Sequence, residues 1–131
     1  MIGYVTIGTA DLTKSAAFYD ALLGSIGATR FMQEENYFIA WAKSPEEPSL
    51  AVTIPFNKEP ATVGNGTMVA LLMESPEQVK AFYNKAIALG ATSEGEPGFR
   101  PEDATSGFYC GYFRDLDGNK LNAFCIVEEA S

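Results

Sequence analysis

Two segments of the chain share one pattern of hydrophobic and polar positions. Each starts with a strand-like run in which side chains alternate between two faces, at 2–8 and at 67–73. Val5 and Ile7 then share one face of the first strand, and Tyr4 and Thr6 share the other. A stretch with helical spacing and three short extended runs follow each strand. The pattern therefore predicts the order strand, helix and three strands, twice.

Local signals mark the two predicted helices. Asp11 is the expected N-cap of the first, and Gly24 or Gly27 its end. The second opens with Ser75-Pro76-Glu77-Gln78, which has the form of a capping box with proline at the first helical position, and Gly90 is its expected stop. After that helix, the glycine- and proline-containing stretch 95–107 predicts a loop at the rim of a pocket.

The two segments also repeat each other in sequence. Ala17-Phe18-Tyr19-Asp20 recurs as Ala81-Phe82-Tyr83-Asn84, and Gly27-Ala28-Thr29 recurs as Gly90-Ala91-Thr92. We therefore expect a single domain over residues 1–131, with a first module at about 1–55, a linker at about 56–65 and a second module at about 66–131.

Composition excludes several classes of partner. The formal charge is −8, from 17 acidic and 9 basic residues, and no basic stripe could follow a phosphate backbone, so no nucleic acid is expected. No apolar run approaches the roughly 18 residues of a spanning helix, and the first residues lack the pattern of a signal peptide. With only two cysteines, we expect a cytoplasmic protein that is not associated with membranes.

The duplicated modules, the segment Gly64-Asn65-Gly66-Thr67 and the segment Arg114-Asp115-Leu116-Asp117-Gly118-Asn119 resemble the vicinal oxygen chelate superfamily. That group contains glyoxalase I, extradiol dioxygenases, fosfomycin-resistance enzymes and bleomycin-binding proteins. The resemblance implies an α+β fold in which two tandem βαβββ modules form curled mixed sheets around a shared cavity. It also implies a homodimer.

Metal-dependent members of that superfamily hold a divalent ion through His or Gln on the first strand of each module and Glu on the last. The resemblance places Tyr4 and Met68 at the first-strand positions, Asn122 at one last-strand position, and its counterpart somewhere in 51–53. These residues do not form the set of imidazole, carboxylate and carboxamide ligands that such an ion needs, and the chain has no histidine. We expect no metal, no cofactor and no glyoxalase I activity.

Residues on the inward sheet faces and at the rim are the candidate ligand-binding set. The set consists of Tyr4, Thr6, Trp41, Met68, Arg100, Asn122 and Phe124. Each has an alternative role, because the inward residues can simply fill the space of the missing metal, Trp41 can close the core, and Arg100 can be an ordinary surface residue.

Two functions fit these observations. The first is a protein that binds a small organic molecule in the cavity without transforming it, and the alternative is an enzyme of lyase, isomerase or dioxygenase type with a non-standard metal centre or none. The sequence has no catalytic triad, nucleophile elbow, Walker loop or dinucleotide fingerprint. No catalytic residue can be assigned.

The last two strands are expected to pair around Asp117-Gly118-Asn119. A register with Arg114 opposite Leu121 places Cys110 opposite Cys125. The same register puts Phe113 opposite Asn122 on the cavity side. Both thiols would then be reduced neighbours on the helix side, with a packing role.

Overall fold

The computed structural model describes residues 1–129. Close approaches between α-carbons divide it into two compact units, the first Met1–Gly64 and the second starting at Asn65. Each unit is an antiparallel set of three strands extended by one parallel strand, with one helix. The predicted α+β fold of two tandem βαβββ modules is confirmed.

The first unit contains four strands in the order β1-β4-β3-β2. Strand β1 pairs with β4 in parallel, and β4, β3 and β2 pair in antiparallel fashion. Its elements are β1 (Tyr4–Gly8), α1 (Leu12–Gly24), β2 (Thr29–Glu34), β3 (Phe38–Ala42) and β4 (Ser49–Thr53).

The second unit repeats this arrangement in the order β5-β8-β7-β6. Strand β5 pairs with β8 in parallel, and the other pairs are antiparallel. Its elements are β5 (Val69–Leu72), α2 (Pro76–Ala88), β6 (Thr92–Arg100), β7 (Gly107–Arg114) and β8 (Lys120–Val127).

Both helices begin where the sequence predicts. The side chain of Asp11 accepts a hydrogen bond from the backbone N–H of Lys14, and that of Ser75 accepts one from Gln78. The second helix is followed by Gly90 at φ +108°, a conformation that favours glycine and stops the helix. No helix among residues 1–129 is long and apolar enough to cross a membrane.

Each helix packs on one face of its own sheet. Tyr19 of α1 contacts Trp41 of β3, with ring centroids 5.7 Å apart, and Phe82 of α2 contacts Phe113 of β7 at 6.2 Å. The buried strand residues on these faces alternate along each strand, as the pattern predicts; they are Ile7, Ile39, Trp41, Leu50, Val52, Tyr109, Phe113, Leu121, Ala123 and Cys125. The opposite face of each sheet, which we call the helix-distal face, is where candidate binding residues concentrate.

Strand β6 is longer than predicted. Residues 95–100 belong to it, so the prediction of a loop over 95–107 is wrong for this part. Register shifts between Ser93 and Gly95 and between Gly95 and Gly98 let the strand absorb extra residues and continue past them. Glycine makes such irregular pairing possible because it tolerates the backbone angles of a bulge.

The predicted register of the last hairpin is wrong by one residue. Arg114 lies opposite Lys120, so Tyr112 lies opposite Asn122 and Cys110 lies opposite Phe124. A one-residue slip moves a strand's whole set of side chains to the other face. Cys110 therefore lies on the helix-distal face with Asn122, while Cys125 lies on the helix side.

The turn explains the slip. The side chain of Asp115 accepts hydrogen bonds from the backbone N–H groups of Asp117 and Asn119, both at 2.9 Å. The backbone N–H of Asp115 donates to the carbonyl of Asn119 at 2.9 Å, which closes the loop directly after Arg114. This loop is one residue shorter than the predicted register requires.

Candidate functional site

A cavity opens on the helix-distal face of the first unit. Its volume is about 460 Å³, which is within the range of small-molecule sites. All four strands of the sheet contribute to its wall, which consists of Tyr4, Thr6, Phe31, Met32, Tyr37, Phe38, Ala40, Ser49, Ala51 and Thr53.

The floor of the cavity is formed by small residues. Ala40 and Ala51 are directly opposed on β3 and β4, and both are buried. Thr6 lies beside Ala51 on the other side, because β1 and β4 pair in parallel. Larger side chains stand around this floor, so the space above it remains open to a ligand.

The cavity wall carries hydroxyl groups but no formal charge. Its polar side chains belong to tyrosine, threonine and serine, and none of the lining residues is Asp, Glu, Lys or Arg. The hydroxyl proton of Thr53 is already used in a hydrogen bond within the protein, since Oγ1 donates to the carbonyl of Ile54 at 2.8 Å. Beside the wall, the Nζ of Lys58 lies 4.9 Å from the centroid of the Tyr37 ring. An uncharged wall that combines aromatic surface with hydroxyl groups suits an uncharged organic molecule.

The wall residues that the sequence does not identify include four with large side chains, namely Phe31, Met32, Tyr37 and Phe38. Phe31 and Met32 both line the cavity although they are consecutive, because the register of β2 against β3 shifts between Arg30 and Met32. Phe31 and Met32 are 45% and 54% exposed. The available signal was a pair of large apolar residues within a strand whose other members are polar. Tyr37 and Phe38 enter the wall at the tight turn after Asn36, whose φ of 61° redirects the chain.

Trp41 lies on the other side of the same sheet. It is 2% exposed, its ring contacts Tyr19, and its Nε1–H donates to Oδ1 of Asp20 at 2.9 Å. The structure does not bring Trp41 to the cavity, because Trp41 alternates with Ala40, which does face it. Of the two roles considered for Trp41, these contacts are those of core packing.

The helix-distal face of the second unit carries a different set of groups. Asn122 lies between Tyr112 on β7 and Ala70 on β5. Phe124, two residues along β8, contacts Phe108 with ring centroids 5.8 Å apart. Met68 comes directly before β5 and is 40% exposed. This face therefore joins one carboxamide to a surface of apolar side chains.

Arg100 ends strand β6 and lies over this face. Its guanidinium carbon is 5.5 Å from the centroid of the Tyr112 ring, and its Nη1 and Nη2 donate to the carbonyls of Phe99 and Glu96 at 3.0 and 2.9 Å. Glycine leaves room for this arrangement, since a Cβ at Gly98 would lie 3.2 Å from Nη1. Arg100 is therefore a strand residue whose guanidinium donates to backbone carbonyls of the same strand. It is not the rim-loop residue that the sequence predicts.

The acid–base groups of this face are poorly suited to catalysis near neutral pH. The Tyr112 hydroxyl contacts Sγ of Cys110 at 3.6 Å. This contact and burial raise the pKa of Tyr112, although Asn122 and Arg100 act in the opposite direction. On the helix side, burial raises the pKa of the Cys125 thiol, with smaller effects from Cys110 and Glu77. A phenol and a thiol that hold their protons are a weak base and a weak nucleophile.

The strand registers identify the equivalent positions of the two units. Asn122 pairs with Ala70, two residues after Met68, and Ala51 pairs with Thr6, two residues after Tyr4. Ala51 is thus the counterpart of Asn122, which narrows the predicted range of 51–53 to one residue.

The donor set does not fit a divalent metal ion. Tyr4, Ala51, Met68 and Asn122 offer a phenol, a methyl group, a thioether and a carboxamide, whereas such an ion needs several imidazole or carboxylate ligands. Within residues 1–129, no group of three or more His, Cys, Asp or Glu side chains is arranged to hold a metal.

Comparisons with known proteins agree with this fold. The model of the glyoxalase/bleomycin resistance protein/dioxygenase superfamily matches residues 1–123. A glyoxalase/bleomycin resistance protein from Albidiferax ferrireducens is 39% identical, with a TM-score of 0.83, and the match covers 95% of this chain and 98% of that one.

More distant structures share the fold at lower identity. A glyoxalase/bleomycin resistance protein/dioxygenase family enzyme from Burkholderia phytofirmans has a TM-score of 0.72 at 17% identity, covering 95% and 98% of the two chains. A lactoylglutathione lyase from Agrobacterium tumefaciens has a TM-score of 0.69 at 18% identity, covering 95% and 92%. A search of curated proteins found no match to this chain.

Proposed function

Because this chain belongs to the glyoxalase/bleomycin resistance protein/dioxygenase superfamily but lacks a donor set for the metal ion, we propose that it binds a small uncharged organic molecule. The observation that carries this proposal is the cavity of about 460 Å³ in the first unit, with its uncharged wall of aromatic and hydroxyl groups. A buried charged group would need a partner that this wall does not provide. Aromatic rings and an apolar floor supply dispersion and stacking, and the hydroxyl groups orient the ligand.

Binding without turnover is the form of the proposal that the chemistry supports. The cavity wall contains no carboxylate, imidazole, thiol or amine, so its only ionisable groups are the phenols of Tyr4 and Tyr37. Phenols are poor general bases near neutral pH.

The test uses a matched pair of probes, 2-naphthol and naphthalene-2-sulfonate, which share a ring system and differ in charge. Calorimetry is expected to show that 2-naphthol binds at least about tenfold more tightly, a difference of about 1.4 kcal/mol. Ala51→Phe should abolish this binding because its ring occupies the cavity floor. Ala17→Phe, an equal change on the exposed face of α1, should leave binding intact. Equal affinities for both probes, or full binding by Ala51→Phe, would contradict the proposal.

An enzymatic alternative is tested separately. Protein purified without chelators is expected to contain no stoichiometric Ni²⁺ or Zn²⁺ and to show no turnover of glutathione hemithioacetal. Stoichiometric metal together with turnover would show that the protein is a lyase and would contradict the proposal of binding without turnover.

We further propose that the protein is a cytoplasmic homodimer. The exposed apolar side chains on the helix-distal faces, which include Phe31 and Met32 in the first unit and Leu72 and Phe108 in the second, support association with another surface. The two free cysteines are compatible with a reducing compartment. Light scattering at micromolar concentration should give the mass of two chains, and a monomeric mass would contradict the dimer.

A further inference from the structure

The turn before β5 contains an asparagine that is followed by glycine. Asn65 and Gly66 form this turn, and both residues are exposed. Gly66 has a φ of +95°, a conformation that favours glycine. Every other asparagine of the chain precedes tyrosine, lysine or alanine. The proposed binding function gives the turn no role, so its chemistry is considered separately.

An asparagine side chain can react with the backbone nitrogen of the residue that follows it. When this nitrogen loses its proton to hydroxide, it attacks the carboxamide carbon Cγ, and the new N–Cγ bond closes a five-membered imide. The Cγ–Nδ2 bond then breaks, and Nδ2 takes up protons from water and leaves as ammonia. Glycine favours the reaction because it has no side chain to hinder the approach and it permits unusual backbone angles. The reaction therefore needs a backbone nitrogen that is not held by a hydrogen bond and a carboxamide that water can reach.

The structure meets both conditions at Asn65. Within the described part of the chain, the backbone N–H of Gly66 donates no hydrogen bond and the side chain of Asn65 makes none. A Cβ placed on Gly66 would have no other group within 4 Å, so the space beside the nitrogen is open. The carboxamide and the nitrogen can therefore approach each other without breaking a contact of the fold.

Asn57 provides a matched comparison in another exposed turn. Its Oδ1 accepts a hydrogen bond from the backbone N–H of Glu59 at 3.0 Å. The nitrogen that would attack it, the backbone N–H of Lys58, donates to the carbonyl of Pro55 at 3.0 Å. At Asn57 both reacting groups are thus engaged, and the next residue carries a long side chain.

We propose that Asn65 is a site of spontaneous deamidation in the folded protein, with water as the only co-reactant. Water opens the imide in one of two ways. Breaking the N–Cγ bond leaves aspartate at position 65, whereas breaking the bond from the nitrogen to the main-chain carbonyl carbon leaves isoaspartate. Both products exchange a neutral carboxamide for a carboxylate, which adds one negative charge to the formal −8. Isoaspartate also lengthens the main chain by one carbon, at the boundary between the two units.

The test follows the full-length protein during incubation at mildly alkaline pH, below its unfolding temperature. Isoelectric focusing should show a more acidic form that accumulates with time and migrates with the variant Asn65→Asp. Mass spectrometry of a digest should locate the exchange of nitrogen for oxygen at Asn65, with both products present, and should find Asn57 unchanged. Asn65→Gln should lose the acidic form, because glutamine would have to close a six-membered ring, which forms far more slowly. Asn57→Gln should retain it.

A peptide of residues 62–69 separates the effect of the local sequence from that of the fold. Because nothing in the fold holds either reacting group, the folded protein should react within severalfold of the peptide rate. A folded protein that stays unmodified while the peptide reacts would overturn the proposal. So would an acidic form that persists in Asn65→Gln, or one that maps to another asparagine.

Discussion

The two units have the same strand order and the same helix placement. Their helix-side sheet faces are similar, whereas their helix-distal faces are not. On the helix side both are apolar: Trp41 packs on Tyr19 in the first unit, and Phe113 packs on Phe82 in the second. On the helix-distal side, the first unit has a small-residue floor with hydroxyl groups around it, whereas the second has a carboxamide, a thiol and two cations near one phenol.

The difference shows which positions the fold itself requires. The helix side must bury a helix, so its residues are chosen for volume and apolar character. The helix-distal side makes no such demand, and the equivalent positions Ala51 and Asn122 can differ in size and polarity. Function in this chain is therefore to be sought where the two units differ.

The largest expected effect breaks the helix-side packing of the first unit. Trp41→Ala should lower the free energy of unfolding by about 3–5 kcal/mol, because it removes a buried ring and leaves a cavity. The control is Tyr4→Ala on the other face of the same sheet; since Tyr4 is 70% exposed, its loss should cost no more than about 0.5 kcal/mol. Urea denaturation measures both. Similar losses for the two variants would contradict the assignment of the faces.

The fold could be predicted because several independent sequence signals agree. The repeat, the alternation in the first strands and the caps at Asp11 and Ser75 all indicate the same module, and the structure contains it twice. Such agreement between local and global signals is typical of a sequence that specifies one fold.

The site was harder to predict because it depends on details of strand pairing. Both errors in strand position arise where pairing is irregular, at the bulges of β6 and at the turn closed by Asp115. A period-two pattern in the sequence does not reveal a bulge with an extra residue or a turn that is one residue shorter. Each of these irregularities moves the side chains that follow it to the opposite face of the sheet. The alternation pattern therefore places Cys110 on the helix side, and it does not identify Phe31 and Met32 as wall residues because they lie at a register shift in β2.

A second effect sharpens the contrast between Asn122 and Ala51. Asn122→Leu should raise the free energy of unfolding by about 1 kcal/mol, because it replaces a buried carboxamide whose oxygen has no hydrogen-bond partner with an apolar side chain of similar size. Ala51→Leu, at the equivalent position of the first unit, should produce a smaller change because it extends into an open cavity. Chemical denaturation of both variants without ligand gives the comparison. A clear loss of stability in Asn122→Leu would show that the carboxamide has a structural role.

Alkaline pH is expected to act through the second unit, which contains both cysteines. Burial raises the pKa of Cys125 above its ordinary value of 9.0, so the thiol ionises more readily in the unfolded chain than in the folded one. Its contribution to stability is present below the unfolded pKa and is lost as pH rises through the folded pKa. Thermal unfolding between pH 8 and about 10 should therefore show a falling midpoint. Cys125→Ala should reduce this slope, and an unchanged slope in the variant would exclude the thiol as its cause.

The smallest expected effect concerns the carboxylate that joins α1 to the first sheet. Asp20 accepts two hydrogen bonds from Arg30, at 2.9 and 2.7 Å, and one from Trp41. The hydrogen bonds from Arg30 are the main cause that lowers the pKa of Asp20. Burial opposes this shift, and Trp41 and the charge of Arg30 add smaller lowering effects. A lowered pKa stabilises the fold above the unfolded pKa, and this contribution is lost as pH falls through the folded pKa. Because the pair is about 40% exposed, Asp20→Asn should cost only about 0.5–1 kcal/mol at pH 7. The difference from wild type should shrink below pH about 4, where the carboxylate of the wild type becomes protonated.

Glu94→Gln is the matched control in the second unit: it removes the ion pair with Arg114 but no contact to a buried ring, so its effect should be smaller. A loss in Asp20→Asn that is the same at pH 3 and pH 7 would show that the hydrogen bond to Trp41, and not the charge, is what Asp20 contributes.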